Sequence, residues 1–557
     1  MLGIVTLITI FLGYGFFFRK FFKIEFSHAI VFSFSLILSI YFISAVLNIL
    51  DASIYCSFFV GISLFVYVIF NFLNNNKIKD IYEIFTYDVI IFVVAIIAYF
   101  ISIRGLLNYA FWDEYSYWGI VVKEMNVYHG LKFPDQSGQI TTAISASYAQ
   151  LPGIFQYSVS KLIGFKEAHN VFANGLIFVV FSSVALVEKR LFWSIILPLV
   201  TVLPSLFFTT VSINSLHLDG SVGAVFAATI AVYIQSKKYN NSLLTFMLIM
   251  PMLFISPNIK EAGYWLAYLI ILIITTDKLL SKNYRHFAVL FILSLLPILG
   301  KLLWCWYLSK IGTVVRSFSQ FPGFSIFKLA SKKIVSEDHS WVSVSADSFP
   351  MIKLMLWKFS PYFYSSTMLY TYVIIAMAAF FIRNYNPSSL KEFFRFLIFL
   401  FVGLCLYIAF RLELYLTTFL KVEASTVASH ERYFGTYTIV FSFCAISFIK
   451  NAFNELSLKS TQELEYKKSY YIFSLAAFFM AIISWKQLLF KLREPNPHYF
   501  LERRNLINEL IKNSVNDNLQ FEGHNLNMLD CYIYRYLEAP YTDPENVKKC
   551  LSAINNP

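Results

Sequence analysis

Two adjacent carboxylates, Asp113 and Glu114, stand inside the aromatic stretch Phe111-Trp112-Asp113-Glu114-Tyr115-Ser116-Tyr117-Trp118-Gly119, directly after an apolar run. Side by side they repel one another, and an apolar boundary disfavours the ionised form of either. A carboxylate poised in that way can accept a proton from an attacking hydroxyl. The plain alternative is an acid pair at a helix N-terminus, where the helix dipole favours negative charge.

Three further polar clusters sit at the ends of apolar runs. In His217-Leu218-Asp219-Gly220 an acid stands at the mouth of a run. In lipid it needs a partner or a wet cavity, and it is also well placed to cap the helix that starts at Gly220. Lys260-Glu261-Ala262-Gly263 offers a cation that would hold a lipid phosphate as a point charge. The alternatives there are a Lys–Glu pair or a lysine snorkelling to the interface. In His430-Glu431-Arg432-Tyr433 the guanidinium suits bidentate contact with phosphate. Arg and Tyr also serve as interfacial anchors.

The elements that must position these residues are membrane spans. A spanning helix needs roughly 20 apolar residues, and about fourteen segments approach that length. Basic residues recur in every second connection: Arg19, Lys20 and Lys23; Lys77 and Lys79; Lys189 and Arg190; Lys237 and Lys238; Lys278, Lys282 and Arg285; Arg383, Lys391 and Arg395; Lys450, Lys459, Lys467 and Lys468. Among the alternate short connections, 51–53 and 212–219 have none and 257–262 has only Lys260. The positive-inside rule then puts the N-terminus outside. The long loops 104–170 and 305–361, the tail after Trp485 and all four polar clusters fall on the same side. An enzyme working at that face has reason to gather acids and bases there; a structural protein or simple channel has none.

Within the first long loop, Trp118, Val121, Val122, Met125 and Tyr128 recur near helical spacing, with Lys123 and Glu124 between them. That pattern predicts an amphipathic helix lying on the membrane surface. A second is expected after Tyr148-Ala149-Gln150-Leu151-Pro152-Gly153, with Pro152 in its first turn; ordinary loop packing is the alternative for both. The expected fold is an all-α integral membrane protein with about 12–14 transmembrane helices. The expected domains are a transmembrane unit over 1–486 and a small polar C-terminal external domain over 487–557.

Composition agrees. Hydrophobic residues make up 58% of the 557 and charged ones only 14%, where soluble domains carry about 25%. Mean hydropathy is +0.61. A net charge of +12 would suggest nucleic acid on a soluble protein. Here the short basic loops account for it, and no nucleic-acid partner is expected. The sequence carries no phosphate-binding Gly-rich loop and no zinc-type cysteine pair. Residues 1–18 read as a first span, since no basic stretch precedes them and no clear cleavage site follows. Of six cysteines, only Cys531 and Cys550 lie in the polar tail. With that tail outside, an oxidising compartment would let them pair. Two free thiols are the alternative.

In order along the chain, these motifs resemble the GT-C superfamily, multi-span glycosyltransferases that use polyprenyl-phosphate sugars at the external membrane face. Phe111 to Gly119 looks like the acidic motif in the first external loop of protein O-mannosyltransferases and their bacterial relatives. The resemblance implies that Asp113 is the catalytic base and that Glu114 binds the acceptor or orients the site. Tyr148 to Gly153 resembles an aromatic-Pro-Gly step in that loop, and Asp219, with His217 beside it, matches an acid at a later external helix end. Lys260 and Glu261 resemble a Lys–acid pair that lies near the carrier phosphate in aminoarabinose transferases. His430, Arg432 and Tyr433 are similar to an Arg-Tyr element near the last spans. The loop 305–361 and the tail 486–557 match nothing in that family.

The function so implied is inverting transfer of a sugar from a polyprenyl-phosphate donor to a hydroxyl of an envelope glycan, lipid or protein. It would take place at the outer face of a bacterial inner membrane. Lys260 and Arg432 would stabilise the leaving phosphate, and Asp113 would deprotonate the acceptor. The scheme requires no cofactor; Asp113, Glu114 and Asp219 are the oxygens open to a divalent metal. The rival readings are an O-antigen polymerase or ligase, which would carry Arg and His in a large late loop, and a transporter, which would show inverted repeats.

Overall fold

Every backbone polar group in lipid must find its partner within the segment, and the helix achieves this locally. The computed structural model describes residues 2–74, 85–103, 109, 114–131, 150–207, 215–282, 286–311, 353, 356–358, 360–417, 430–456, 471, 473–483, 485–486, 498–513, 528–538 and 550. Their regular structure is helical throughout. In chain order the helices are α1 (Leu2–Phe22), α2 (Phe26–Val46), α3 (Leu50–Asn74) and α4 (Tyr87–Ile103). A π-helical turn, Glu114–Trp118, runs into α5 (Gly119–Tyr128). There follow α6 (Leu151–Ile163), α7 (Glu167–Ser182), α8 (Leu191–Phe207), α9 (Asp219–Ser236), α10 (Ser242–Ile259) and α11 (Ala262–Leu280). The rest are α12 (Phe287–Lys310), α13 (Ser366–Tyr385), α14 (Leu390–Thr417), α15 (His430–Leu456), α16 (Phe473–Ile483), α17 (His498–Asn513) and α18 (Met528–Glu538).

Among the described residues, ten helices are long and apolar enough to cross a membrane: α1, α2, α3, α7 and α10 to α15. Three more, α4, α8 and α16, are apolar but shorter. The chain is a multi-pass, all-α membrane protein. Its helices sort into an inner and an outer set. α3 and α12 turn most of their surface outward, α3 through Tyr55, Phe59, Val66 and Phe70. In α15 residues 433–450 are buried throughout.

α9 is not among the ten, yet Ser221 to Ser236 are all buried. It faces protein, so small residues serve it better than bulk. At Gly223 an added Cβ would stand 2.6 Å from the Thr436 carbonyl oxygen, so only glycine lets α9 and α15 approach this closely.

Polar contacts gather at the two ends of these helices. At one end, Glu25 pairs with Lys238 and with Lys450, the latter at 2.9 Å, and Arg19 pairs with Glu188. Asp277 pairs there with Lys237 at 2.8 Å and with Arg395. At the other end, Asp51 accepts from Tyr157 at 2.5 Å and from Lys161 at 3.1 Å, and Glu167 pairs with Arg504 at 2.7 Å. α9 carries Asp219 at one end and meets Lys237 just past the other, about 27 Å away at 1.5 Å per residue. Among the described residues, the basic residues Arg19, Lys237, Lys238, Arg395 and Lys450 thus lie at the same end, as the alternation predicts.

Two expectations change. α6 does not lie open on the membrane surface: Leu151 to Ser160 are all buried, with Pro152 in the first turn as expected. α5 likewise buries Gly119 to Val122, Glu124 and Met125. Both are packed elements under the loop end of the bundle. The late loop also begins later than expected, because α12 continues through Lys310. In the tail, Cys531 and Cys550 form a disulfide with Cα atoms 5.8 Å apart.

Candidate functional site

Three of the four clusters converge at the loop end. Asp219 is the first residue of α9, Lys260 follows α10, and Arg432 lies in the first turn of α15. The Asp219 carboxylate bridges the two cations: Lys260 Nζ lies 2.7 Å from one oxygen and Arg432 Nε 2.9 Å from the other. This corrects two readings. The N-cap position of α9 belongs to Leu218, so Asp219 is not the cap residue. Lys260 reaches Asp219 rather than its neighbour Glu261. Asp219 is 1% exposed, whereas the Lys260 and Arg432 side chains keep 17% and 14%, so the cations and not the acid present an open face.

Tyr433 sits within the same group. Its ring centroid lies 5.2 Å from Lys260 Nζ, 5.4 Å from the Arg432 guanidinium and 3.3 Å from that of Arg411. Arg411 comes from α14 and is buried. The sequence reading missed it. Its signal is an arginine near the end of the otherwise uncharged apolar run 396–412, and a charge inside a span marks function by default.

Glu114 belongs to the same end but plays a different part. Its Oε1 accepts a 2.8 Å hydrogen bond from the Leu216 N–H. Asn174, also missed by the sequence reading, donates from Nδ2 to the carbonyls of Ser215 at 2.8 Å and His217 at 3.2 Å. Together they fix the 215–219 segment that delivers Asp219. His217 is close enough to act electrostatically on Asp219. His430 packs edge-on against Tyr362 with centroids 4.8 Å apart, at the start of the helix that carries Arg432. Asp113, Tyr148 and the Glu431 side chain lie outside the described residues.

Glu261 lies between α10 and α11, next to Lys260. Burial pushes its carboxyl up to about 7, against the opposing pull of Lys301 and Lys260. The group therefore titrates near neutrality. Lys260 and Arg432 meet the bridging Asp219, and Arg411 stacks on the Tyr433 ring beside them, so three cations gather in the cluster. It can hold an anion with a planar or tetrahedral set of oxygens. The chain matches no family model, no curated protein and no solved structure.

Proposed function

We propose that this polytopic protein is a glycosyltransferase that moves a sugar from a polyprenyl-phosphate donor to a hydroxyl acceptor at one membrane face. The observation that carries the reading is the Lys260–Asp219–Arg432 bridge with Arg411 behind Tyr433, at the same end of the bundle as Glu114. A phosphate at a membrane surface is the anion such a cluster fits best. Lys260, Arg411 and Arg432 bind the donor phosphate and stabilise the charge that grows on it as the glycosidic bond breaks. A phosphate is a good leaving group and needs that charge more than a proton. Glu114 orients the 215–219 segment, and Asp113, its chain neighbour, takes the proton of the attacking hydroxyl.

The test is sugar release and transfer from a radiolabelled polyprenyl-phosphate sugar by the detergent-purified protein. Transfer by the wild type and a loss of about 10²-fold or more in Asp113→Asn are expected. Equal turnover in that variant removes Asp113 from the chemistry. Passage of the intact donor across vesicles without release of sugar makes the protein a transporter.

A further inference from the structure

The C-terminal helix pair is docked onto the first loop by contacts that lead directly to the candidate site. Tyr536 of α18 packs against Tyr109 and Tyr115, with centroids 5.2 and 5.5 Å apart. Lys123 of α5 donates to the carbonyls of Tyr536 at 2.8 Å and Leu537 at 2.7 Å. A cation there satisfies acceptors that the last turn of a helix leaves free. From α17, Arg504 pairs with Glu167 at 2.7 Å, and the same Glu167 oxygen accepts the Tyr109 N–H at 2.7 Å. Tyr115 closes the group by donating to the Tyr109 carbonyl at 2.6 Å.

Tyr109, Tyr115 and Tyr536 are all buried. At Gly119 an added Cβ would stand 2.1 Å from the Tyr109 ring, so the packing leaves no slack. The residue beside Tyr115 is Glu114, which holds the Leu216 amide in the segment that ends at Asp219. α17 and α18 are themselves joined by the Arg503–Asp530 ion pair, and α18 is tied to Cys550 by the disulfide.

We infer that the C-terminal helix pair is a working part of the site: Tyr536 and Arg504 are positioning residues that hold Glu114 against the 215–219 segment through Tyr109 and Tyr115. The inference rests on reading the Asp219 cluster as the place of transfer. Tyr536 and Arg504 touch none of the phosphate-binding cations named above. Their loss therefore lowers turnover while the donor still binds.

The experiment uses the full-length purified protein and combines donor kinetics with amide exchange. In Tyr536→Ala, exchange rises at 114–118 and 215–219 while α15 and the later turns of α9 keep wild-type protection. With the radiolabelled donor, kcat falls on the order of tenfold to a hundredfold, and KM stays within about twofold. Tyr536→Phe, which keeps the ring, restores both readouts. Arg504→Gln moves them in the same direction as the alanine variant. If Tyr536→Ala does not fold, Lys123→Gln, which removes the charge held against the Tyr536 and Leu537 carbonyls and the Tyr536 ring, is read in its place. Unchanged exchange at 215–219, or a KM effect with kcat held, overturns the inference. Absence of transfer in the wild type sinks the glycosyltransferase reading instead, and exchange alone then decides the role of the helix pair.

Discussion

A lysine and two arginines around one tyrosine are not interchangeable. Lys260 is a compact point charge, whereas Arg432 and Arg411 present planar forks, and Arg411 lies over the Tyr433 ring. Lys260→Ala and Arg411→Ala should each weaken donor-phosphate binding on the order of tenfold or more, as loss of a charge-assisted contact does. Titration with a short-chain prenyl-phosphate sugar measures this, and unchanged affinity in both variants would return the cluster to a structural role. Glu261 adds a dependence on pH. Its carboxyl titrates at about 7, with Lys260 and Lys301 facing it and Cys305 nearby. Below that pH it is neutral and the cluster is more positive. Above it a negative charge appears beside Lys260. Affinity for the donor, a phosphodiester whose own charge is constant, should therefore fall as pH rises through about 7. Glu261→Gln should flatten that profile. The stability sign follows from the same raised value. Folding disfavours the ionised form, so this group's contribution declines as pH rises from the ordinary carboxylate range to about 7.

At the scale of elements, the site depends on how closely α9 and α15 approach, because Asp219 heads one and Arg432 the other. Gly223→Ala places a Cβ against the Thr436 carbonyl. Overpacking of this kind costs about 1–3 kcal/mol. The variant should melt earlier and lose turnover, and a wild-type melting temperature would show that the helices part without strain. The spans that face lipid were legible in the sequence because lipid demands long apolar runs, and the alternation of basic residues located their ends. α9 was less legible: it faces protein, so glycine, alanine and serine replace the bulky residues that mark a span. The candidate site was legible as separate clusters, since Asp219, Lys260 and Arg432 each stand at a helix end. Their bridge was not, because residues 219, 260 and 432 meet only in three dimensions. Asn174 carried no signal at all. It is an uncharged residue within a helix, and only the carbonyls it receives reveal its part.

For the whole molecule, the decisive question is which end faces out. The loop end gathers the Asp219 cluster, the Glu114 turn, the docked C-terminal helices and their disulfide. The opposite end gathers Arg19, Lys237, Lys238, Arg395 and Lys450 around Glu25, Asp277 and Glu188. Surplus lysine and arginine in short loops mark the cytoplasmic side, and a disulfide in the tail suits an oxidising exterior. On both grounds we propose that the loop end faces outward. Lys166 and Lys20 are exposed at opposite ends of the bundle and serve as reporters. With a charged, membrane-impermeant maleimide, Lys166→Cys should label in intact cells, and Lys20→Cys only after permeabilisation. The reverse pattern would put the phosphate-binding cluster at the inner face. The donor would then have to be used before it crosses the membrane, and transfer at the outer face would be untenable.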